Sequence, residues 1–467
     1  MAVFSGRDTD VSTIDDVAAE FVLAACVPVD ASHASGTLDR AEAIRAEHPE
    51  VASASIHAAA ALGDDAGVRR FLELDPASAT AKGGPHGWDA LTHLCFSRYL
   101  RLDPARSDGF VRAAQALLEA GASASSGWWE PQHQPQAEWE PVLYGAAGIA
   151  HHPELTRLLL EHGADPNDNE VVYHTPESYD NRALALLLDT GRLTPASLSL
   201  MLLRKHDWHD EAGVRLLLER GTELNRPHFR GLLPLHHALQ RDNALSTIEL
   251  LLDHGADPAV EAGGSSAVAL AACRGRGDVL DLIERRGIPL GLRGADRLVA
   301  ACAMDRPEEI RSIVATEPEL VAEVVAGGGR LLAQFGGNGN TAGVGHLLDL
   351  GIDVNARFAE GDGYFGVARD STALHAAAWR ASHAPVRLLI SRGADVNARD
   401  GSGRTPLSLA VRACVDSYWA ARRSPESAQA LLDAGASTDG VLYPSGYAEV
   451  DELLRPFMED GSAARPS

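Results

Sequence analysis

One short phrase recurs along the 467 residues: two or three apolar residues, a polar pair, then glycine, often followed by a small residue. It reads Leu117-Leu118-Glu119-Ala120-Gly121 first and Leu158-Leu159-Leu160-Glu161-His162-Gly163 next. Seven further copies end at Gly191, Gly221, Gly255, Gly287, Gly351, Gly393 and Gly435. Successive glycines stand 42, 28, 30, 34, 32, 64, 42 and 42 residues apart, and 64 is two periods of 32 with a degenerate copy between them. A unit this short cannot bury its own apolar side alone. It must stack on copies of itself, so the period predicts a row of small units rather than one interlocked globule. The glycine explains itself locally. Just past paired leucines it takes the left-handed conformation that ends a helix without a Cβ clash.

A second phrase lies upstream of the first. It reads Leu233-Pro234-Leu235-His236-His237-Ala238, Thr372-Ala373-Leu374-His375-Ala376-Ala377 and Thr405-Pro406-Leu407-Ser408-Leu409-Ala410, with weaker copies at residues 56–59 and 141–146. Where proline is present it opens the helix, at the position where its missing N–H costs nothing. The alanines keep the helix thin, so neighbours stack closely. Aromatic residues make up only 5 % of the chain, which suits leucine- and alanine-filled interiors.

These phrases resemble the ankyrin repeat, with its period near 33, its T-P-L-H-x-A opening and its helix–turn–helix unit joined by hairpin-like loops. Asp353-Val354-Asn355-Ala356-Arg357 and Asp395-Val396-Asn397-Ala398-Arg399 are similar to that family's inter-repeat segment. The strict match covers residues 141–165 and 233–436. The resemblance implies an all-α ankyrin-repeat solenoid of about ten or eleven units with several long loop insertions. It also implies protein–protein recognition through the concave finger and inner-helix surface. Along the chain, residues 1–52 read as an N-terminal helical cap, with helices near 13–27 and 37–47. Residues 53–232 read as divergent repeats with aromatic insertions, and 233–440 as ankyrin repeats. Residues 441–458 read as a capping helix and 459–467 as a disordered tail.

Insertions carry the rest of the information. Residues 122–140 extend one finger and hold Trp128, Trp129 and Trp139; residues 357–370 extend another and hold Tyr364 and Phe365. Residues 97–108 and 414–425 lengthen turns between helices, the second with Tyr418 and Trp419, and a shortened region at 168–181 carries Tyr173 and Tyr179. Loop aromatics supply large contact area at low entropic cost. Trp128, Trp129, Trp139, Tyr173, Tyr179, Tyr364 and Phe365 are therefore the expected partner-binding residues. Equally, long loops fold back and bury their own tryptophans against the stack.

Histidines offer a rival. His206, Asp207, His209 and Asp210 form the densest polar cluster, and on a helix His206 and His209 would share a face as metal ligands can. Polar residues are ordinary in a turn between two helices, so no catalytic residue, metal or cofactor is assigned. His57, His236 and His375 fall at the repeat's opening histidine, which in the family bonds neighbouring loop backbone. Gly361, Gly363 and Gly366 spell G-x-G-x-x-G, but inside a finger rather than between a strand and a helix, so loop flexibility is the reading.

Lys+Arg is 41 and Asp+Glu 65, a formal charge of −24. That balance argues against nucleic-acid and membrane partners and favours a protein with a basic patch. No segment reads as a signal peptide or a membrane span. The five cysteines form no C-x-x-C, so the expected compartment is the cytoplasm. Arginine outnumbers lysine, present only as Lys82 and Lys205, as in bacterial chains of GC-rich origin. The functional reading is a non-enzymatic interaction scaffold of unstated oligomeric state. The alternative is an enzyme or small-molecule binder whose pocket the long aromatic fingers close.

Overall fold

The computed structural model describes residues 14–227 and 231–460. Its regular structure is almost entirely helical, and it divides into two compact units, Met1–Arg230 and Gly231–Ser467. The first thirteen residues of the expected cap and the last seven of the expected tail lie outside the described residues; Glu459 and Asp460 belong to the final helix, Ala448–Asp460.

The first unit opens with the pair Ile14–Ala25 and Asp39–Glu47. Helix pairs then follow as Ile56–Leu62 with Asp65–Leu74, Ala90–Cys95 with Ser107–Glu119, residues 142–149 with Pro153–Glu161, Asn169–His174 with Arg182–Asp189, and Pro195–Asp207 with Glu211–Glu219. The second unit repeats the plan: Pro234–Gln240 with Leu245–Asp253, Ala267–Cys273 with Gly277–Arg285, Gly294–Ala303 with Pro307–Thr316, Gly328–Gly337 with Thr341–Asp349, Ala373–Trp379 with His383–Ser391, and Pro406–Asp416 with Glu426–Asp433. The pair at 294–316 is the degenerate copy inside the 64-residue spacing, followed by an additional helix, Glu319–Ala326.

Local chemistry sets the boundaries. Ser55, Asp64, Asp89, Thr194, Asp210, Ser266, Asn340 and Thr405 each accept a hydrogen bond from an N–H of the first helical turn, which otherwise lacks a partner. Proline opens the helices at Pro153, Pro195, Pro234, Pro307 and Pro406. The phrase glycines close the outer helices with positive φ, as at Gly121 (φ 104) and Gly255 (φ 89). Of each leucine pair at least one member is fully enclosed: Leu117, Leu159, Leu187, Leu217, Leu251, Leu347, Leu389 and Leu431 expose none of their surface. Burying a leucine contributes roughly 1.5–3 kcal/mol, so this row is the principal cohesive force between neighbours.

The recurring polar letters of the repeat have identifiable partners. His57, His236 and His375 donate through Nε2 to the carbonyls of Ala81, Ser265 and Arg404 in the following loop, at 3.2, 2.9 and 3.1 Å. Asn355 and Asn397 accept from the backbone N–H of Asp395 and Ser437 one repeat further on, at 2.8 and 2.7 Å. The glycine runs of the second unit serve packing. A Cβ on Gly329 would lie 2.0 Å from the Arg357 carbonyl oxygen, and Gly336 rests on Ala373 and Ala377 of the next inner helix. All five cysteines are thiols, and burial raises the pKa of each.

Candidate functional site

The inserted finger of the first unit is an antiparallel hairpin of Gly127–Glu130 and Glu138–Pro141. Trp128 lies opposite Glu140, Trp129 opposite Trp139, and Glu130 opposite Glu138. Opposed residues share a face and successive residues alternate, so the hairpin has two unlike sides. Trp128, Glu130 and Glu140 belong to one face; Trp129 and Trp139 belong to the other.

The inner side folds back on the helices. Trp128 is 6 % exposed and packs on Trp88 (ring centroids 5.0 Å), His33 (5.5 Å) and Phe96 (5.9 Å). Beneath lie His57, His86 and His93; His86 stacks on Trp88 at 4.1 Å. Burial drives the imidazoles toward the neutral form, with His86 pulled down to about 4 and His93 to about 3. On the outer side Trp129 is 62 % exposed and meets Trp139 edge-on at 5.4 Å.

Beside the hairpin is a polar cleft of about 260 Å³. Its walls are the loop around His33, the hairpin residues Glu130, His133 and Glu140, Tyr144, and the trio Glu170, His174 and Glu177. Gly148 makes room for it: a Cβ there would stand 2.7 Å from the Tyr144 ring and 2.9 Å from the His174 Cβ. The helix carrying both Tyr144 and Gly148 widens to a π-helical turn over Gly145–Ile149. Within the cleft His174 lies between two carboxylates, 3.2 Å from Glu170 and 2.9 Å from Glu177. Burial opposes its charge, yet those hydrogen bonds and charges prevail and hold its pKa up at about 9. Glu177 is also paired with Arg204, which reaches Asp207 at 2.5 Å and lies 4.1 Å over the Tyr173 ring. Glu140 is the opposite case. It is 1 % exposed, and burial, reinforced by the Glu170 and Glu130 carboxylates, pushes its pKa up to about 9.

The second finger, at residues 357–372, pairs only Arg357–Phe358 with Ser371–Thr372. Gly361 and Gly366, both at φ 69, turn its tip around a bridge between Asp362 and Val367, so the G-x-G-x-x-G letters make a hairpin tip and no phosphate loop. Phe365 is inserted among Ala333, Phe358, Val367 and Ala376, with Trp379 and Trp419 packed alongside. Trp379 donates its indole N–H to the Phe365 carbonyl at 2.5 Å. Arg380 lies 4.3 Å over Phe365 and 4.7 Å over Trp419, while Arg241 covers the half-exposed Tyr364 at 3.8 Å.

Those arginines are held at the edge where the paired helices turn. Asp242 accepts two hydrogen bonds from Arg274 at 2.9 and 2.8 Å and one from Arg380 at 2.5 Å, joining turns 138 residues apart. Burial opposes ionisation of Asp242, but Arg380 and Arg274 outweigh it and keep its pKa below the usual carboxylate value. Burial pulls Arg380 itself down to about 10. Asn340 ties in two more turns, donating to Gly275 and Ala303 carbonyls at 2.7 and 2.8 Å. A cleft of about 570 Å³ opens here, lined among others by Asp242, Arg276, Asn338, Arg380, Trp419 and Arg422.

These placements correct the expectation that all seven loop aromatics face a partner. Trp128 and Phe365 are core residues, because each finger buries one ring to fix itself. Trp129, Tyr179 and Tyr364 remain accessible, Trp139 and Tyr173 partly so. His206 and His209 do not share a helical face. The helix ends at Asp207, His206 is enclosed, and His209 occupies the left-handed turn at φ 51. Asp210 caps the next helix and accepts from Lys205 at 2.8 Å and Asn181 at 2.8 Å. Lys205, wholly buried, also donates to the Ser178 carbonyl at 2.6 Å, so the cluster locks two repeats together. Missed in the sequence were His33, Glu130, His133 and Glu140. The alternation Trp128-Trp129-Glu130 against Glu138-Trp139-Glu140 was the available signal for two of them.

Comparison with known proteins agrees with the architecture. The family model for the ankyrin repeat matches residues 230–262 and 369–401. The mouse (Mus musculus) B-cell lymphoma 3 protein homolog is 30 % identical over 155 residues, covering 30 % of this chain and 34 % of that protein. Human (Homo sapiens) ankyrin repeat domain-containing protein 63 is 41 % identical over 81 residues, 17 % of this chain and 21 % of that one. The chain thus spans about a third or less of the length of these curated relatives. The crystal structure of the ankyrin repeat domain of Bcl-3 aligns with 24 % identity and a TM-score of 0.23, covering 50 % of this chain and 97 % of that one. Ankyrin repeats are therefore present at residues 230–262 and 369–401, and each unit is an all-α stack of helix pairs.

Proposed function

We propose that the chain is a binding scaffold that recognises a protein partner through the outer side of the first finger. The observation carrying this reading is the Trp129–Trp139 pair. Two indoles meet edge to face on the outer side of a hairpin whose opposite side is anchored by buried Trp128. Rigid, exposed tryptophan is the residue type that dominates binding energy at interfaces. Tyr179, 62 % exposed and positioned by a hydrogen bond to the Trp208 carbonyl at 3.0 Å, is a second exposed aromatic of the first unit. A net charge of −24 favours a partner that presents a basic patch. Free cysteines support a cytoplasmic setting.

The test is affinity capture from source cells with wild type and a Trp129→Ala/Trp139→Ala variant. The expected outcome is loss of the captured partner, an affinity drop of about 30-fold or more, with the thermal midpoint unchanged. Equal capture by a folded variant refutes the assignment. The cleft at Asp242, Arg276, Arg380 and Arg422 favours a second reading, a small polar ligand bound beside the second finger, carried by its roughly 570 Å³ volume and three guanidinium groups.

A further inference from the structure

We infer that the first-unit cleft binds one divalent transition-metal ion through Glu130, His133 and Glu140, with the His33 imidazole completing the set. One nitrogen of His133 and one carboxylate oxygen each of Glu130 and Glu140 all lie within 4.8 Å of one another. His133 Nδ1 is 3.7 Å from Glu130 Oε2, and His33 Nε2 is 4.0 Å from Glu130 Oε1. Those separations are too long for hydrogen bonds. The two contacts use different oxygens of Glu130, and His33 lies outside the 4.8 Å group. Glu130, His133 and Glu140 therefore form the core of the site, and the hairpin and the His33 loop draw together toward the roughly 3.4 Å edge of a tetrahedron with bonds of about 2.1 Å when the ion binds.

A second observation points the same way. Glu140 is 1 % exposed, and its Oε2 has no hydrogen-bond partner. The His33 side chain is 8 % exposed, and its Nε2 likewise has none. Both groups line the cleft. A buried carboxyl oxygen without a partner is costly, and a bound cation both pairs it and stabilises its ionised form. The neighbouring acids do not compete, because Glu170 and Glu177 are engaged with His174. His33 is prepared as a ligand by its other nitrogen. Nδ1 and the Tyr144 hydroxyl are hydrogen-bonded at 3.1 Å, which leaves Nε2 toward the cleft when Nδ1 is the donor, the arrangement that orients metal-binding imidazoles.

Two imidazoles and two carboxylates select zinc or a similar first-row ion. Magnesium and calcium prefer oxygen-only shells, and copper(I) prefers sulfur. Bound there, the ion joins the His33 loop to the hairpin and fixes the finger carrying Trp129 and Trp139. The site stands independently of whether that finger binds a protein.

The experiment is calorimetric titration of Zn²⁺ into chelator-stripped full-length chain, with metal content per chain counted after dialysis. One Zn²⁺ per chain is expected, with a raised thermal midpoint and no competition from Mg²⁺. Glu140→Gln and His133→Gln retain the helical circular dichroism and weaken zinc on the order of 100-fold or more; Tyr144→Phe, acting through His33, weakens it about tenfold. His209→Ala binds as wild type. Absence of saturable zinc binding by the folded, stripped chain overturns the inference. So does Glu140→Gln binding zinc with wild-type affinity, which would place the ion among other histidines.

Discussion

The first finger lies on imidazoles and carboxylates, the second on guanidinium groups. Trp128 packs above His33, Trp88 and His86, and the histidines beneath are kept neutral by burial. Phe365 and Trp419 instead receive Arg380, which Asp242 and Asn338 hold in place. Strand length accounts for the difference in outward appearance. Four paired residues per strand give the first hairpin two faces, so one tryptophan goes in while two remain outside. Two paired residues per strand give the second finger no such division, and its tip bends over until its phenylalanine is covered. Insertions of similar size thus produce a displayed edge in one unit and a closed plug in the other.

The largest effects come from removing each finger's anchor. Trp128→Ala opens a cavity over Trp88 and Phe96 and destabilises the first unit by about 3–5 kcal/mol. Asp242→Asn retains a side chain that tolerates φ 51 but leaves Arg274 and Arg380 without their buried counter-charge, at about 3–5 kcal/mol in the second unit. Urea unfolding with hydrogen exchange read separately at residues 127–141 and 357–380 checks both. If either substitution loosens both fingers equally, the two anchors are not local.

Acid separates the fingers next. His93 has Nδ1 donating to the Asp89 carbonyl at 2.9 Å and faces His57 and His86; Asp89 is the nearby carboxylate. The folded pKa values of about 3 for His93 and about 4 for His86 lie below the unfolded value of 6.5. Between those limits the unfolded chain binds the extra protons. Stability is therefore complete above about pH 6.5 and declines toward pH 4, by about 1.4 kcal/mol per pH unit for each fully shifted histidine. The arginines of the second finger do not titrate there. Exchange protection, corrected for intrinsic rates, should fall from pH 7 to 5 more steeply at Ala90–Cys95, which meets the three lowered imidazoles His57, His86 and His93, than at Ala373–Trp379, which carries the single lowered imidazole His375. His86→Phe should flatten the slope. Protection at Ala90–Cys95 that ignores pH would show that these imidazoles are already hydrated.

Most of the fold was legible because it is local and repeated. Each leucine pair, terminating glycine and opening proline states its role within a dozen residues, and the period sets which units stack. The aromatic sides were not legible with the same rule. Trp128 and Trp129 are adjacent in sequence, and only a strand pairing of known register assigns them to opposite faces. The cleft was hidden for another reason. His33, Glu130 and His174 come from three separate parts of the chain, and no spacing relates them. Asp242 and Arg380 likewise meet across 138 residues. The spacing of His206 and His209 suggested a shared face, but the helix ended between them.

The smallest effect is the most discriminating for the displayed edge. Trp129→Ala removes a ring that is 62 % exposed and touches Trp139 at its edge, so unfolding free energy should change by no more than about 0.5 kcal/mol. A surface indole kept for recognition contributes little to the fold that carries it. A loss of several kcal/mol, measured by urea unfolding, would mean that the outer face also packs on the stack, and the contrast between a displayed first finger and a plugged second one would disappear.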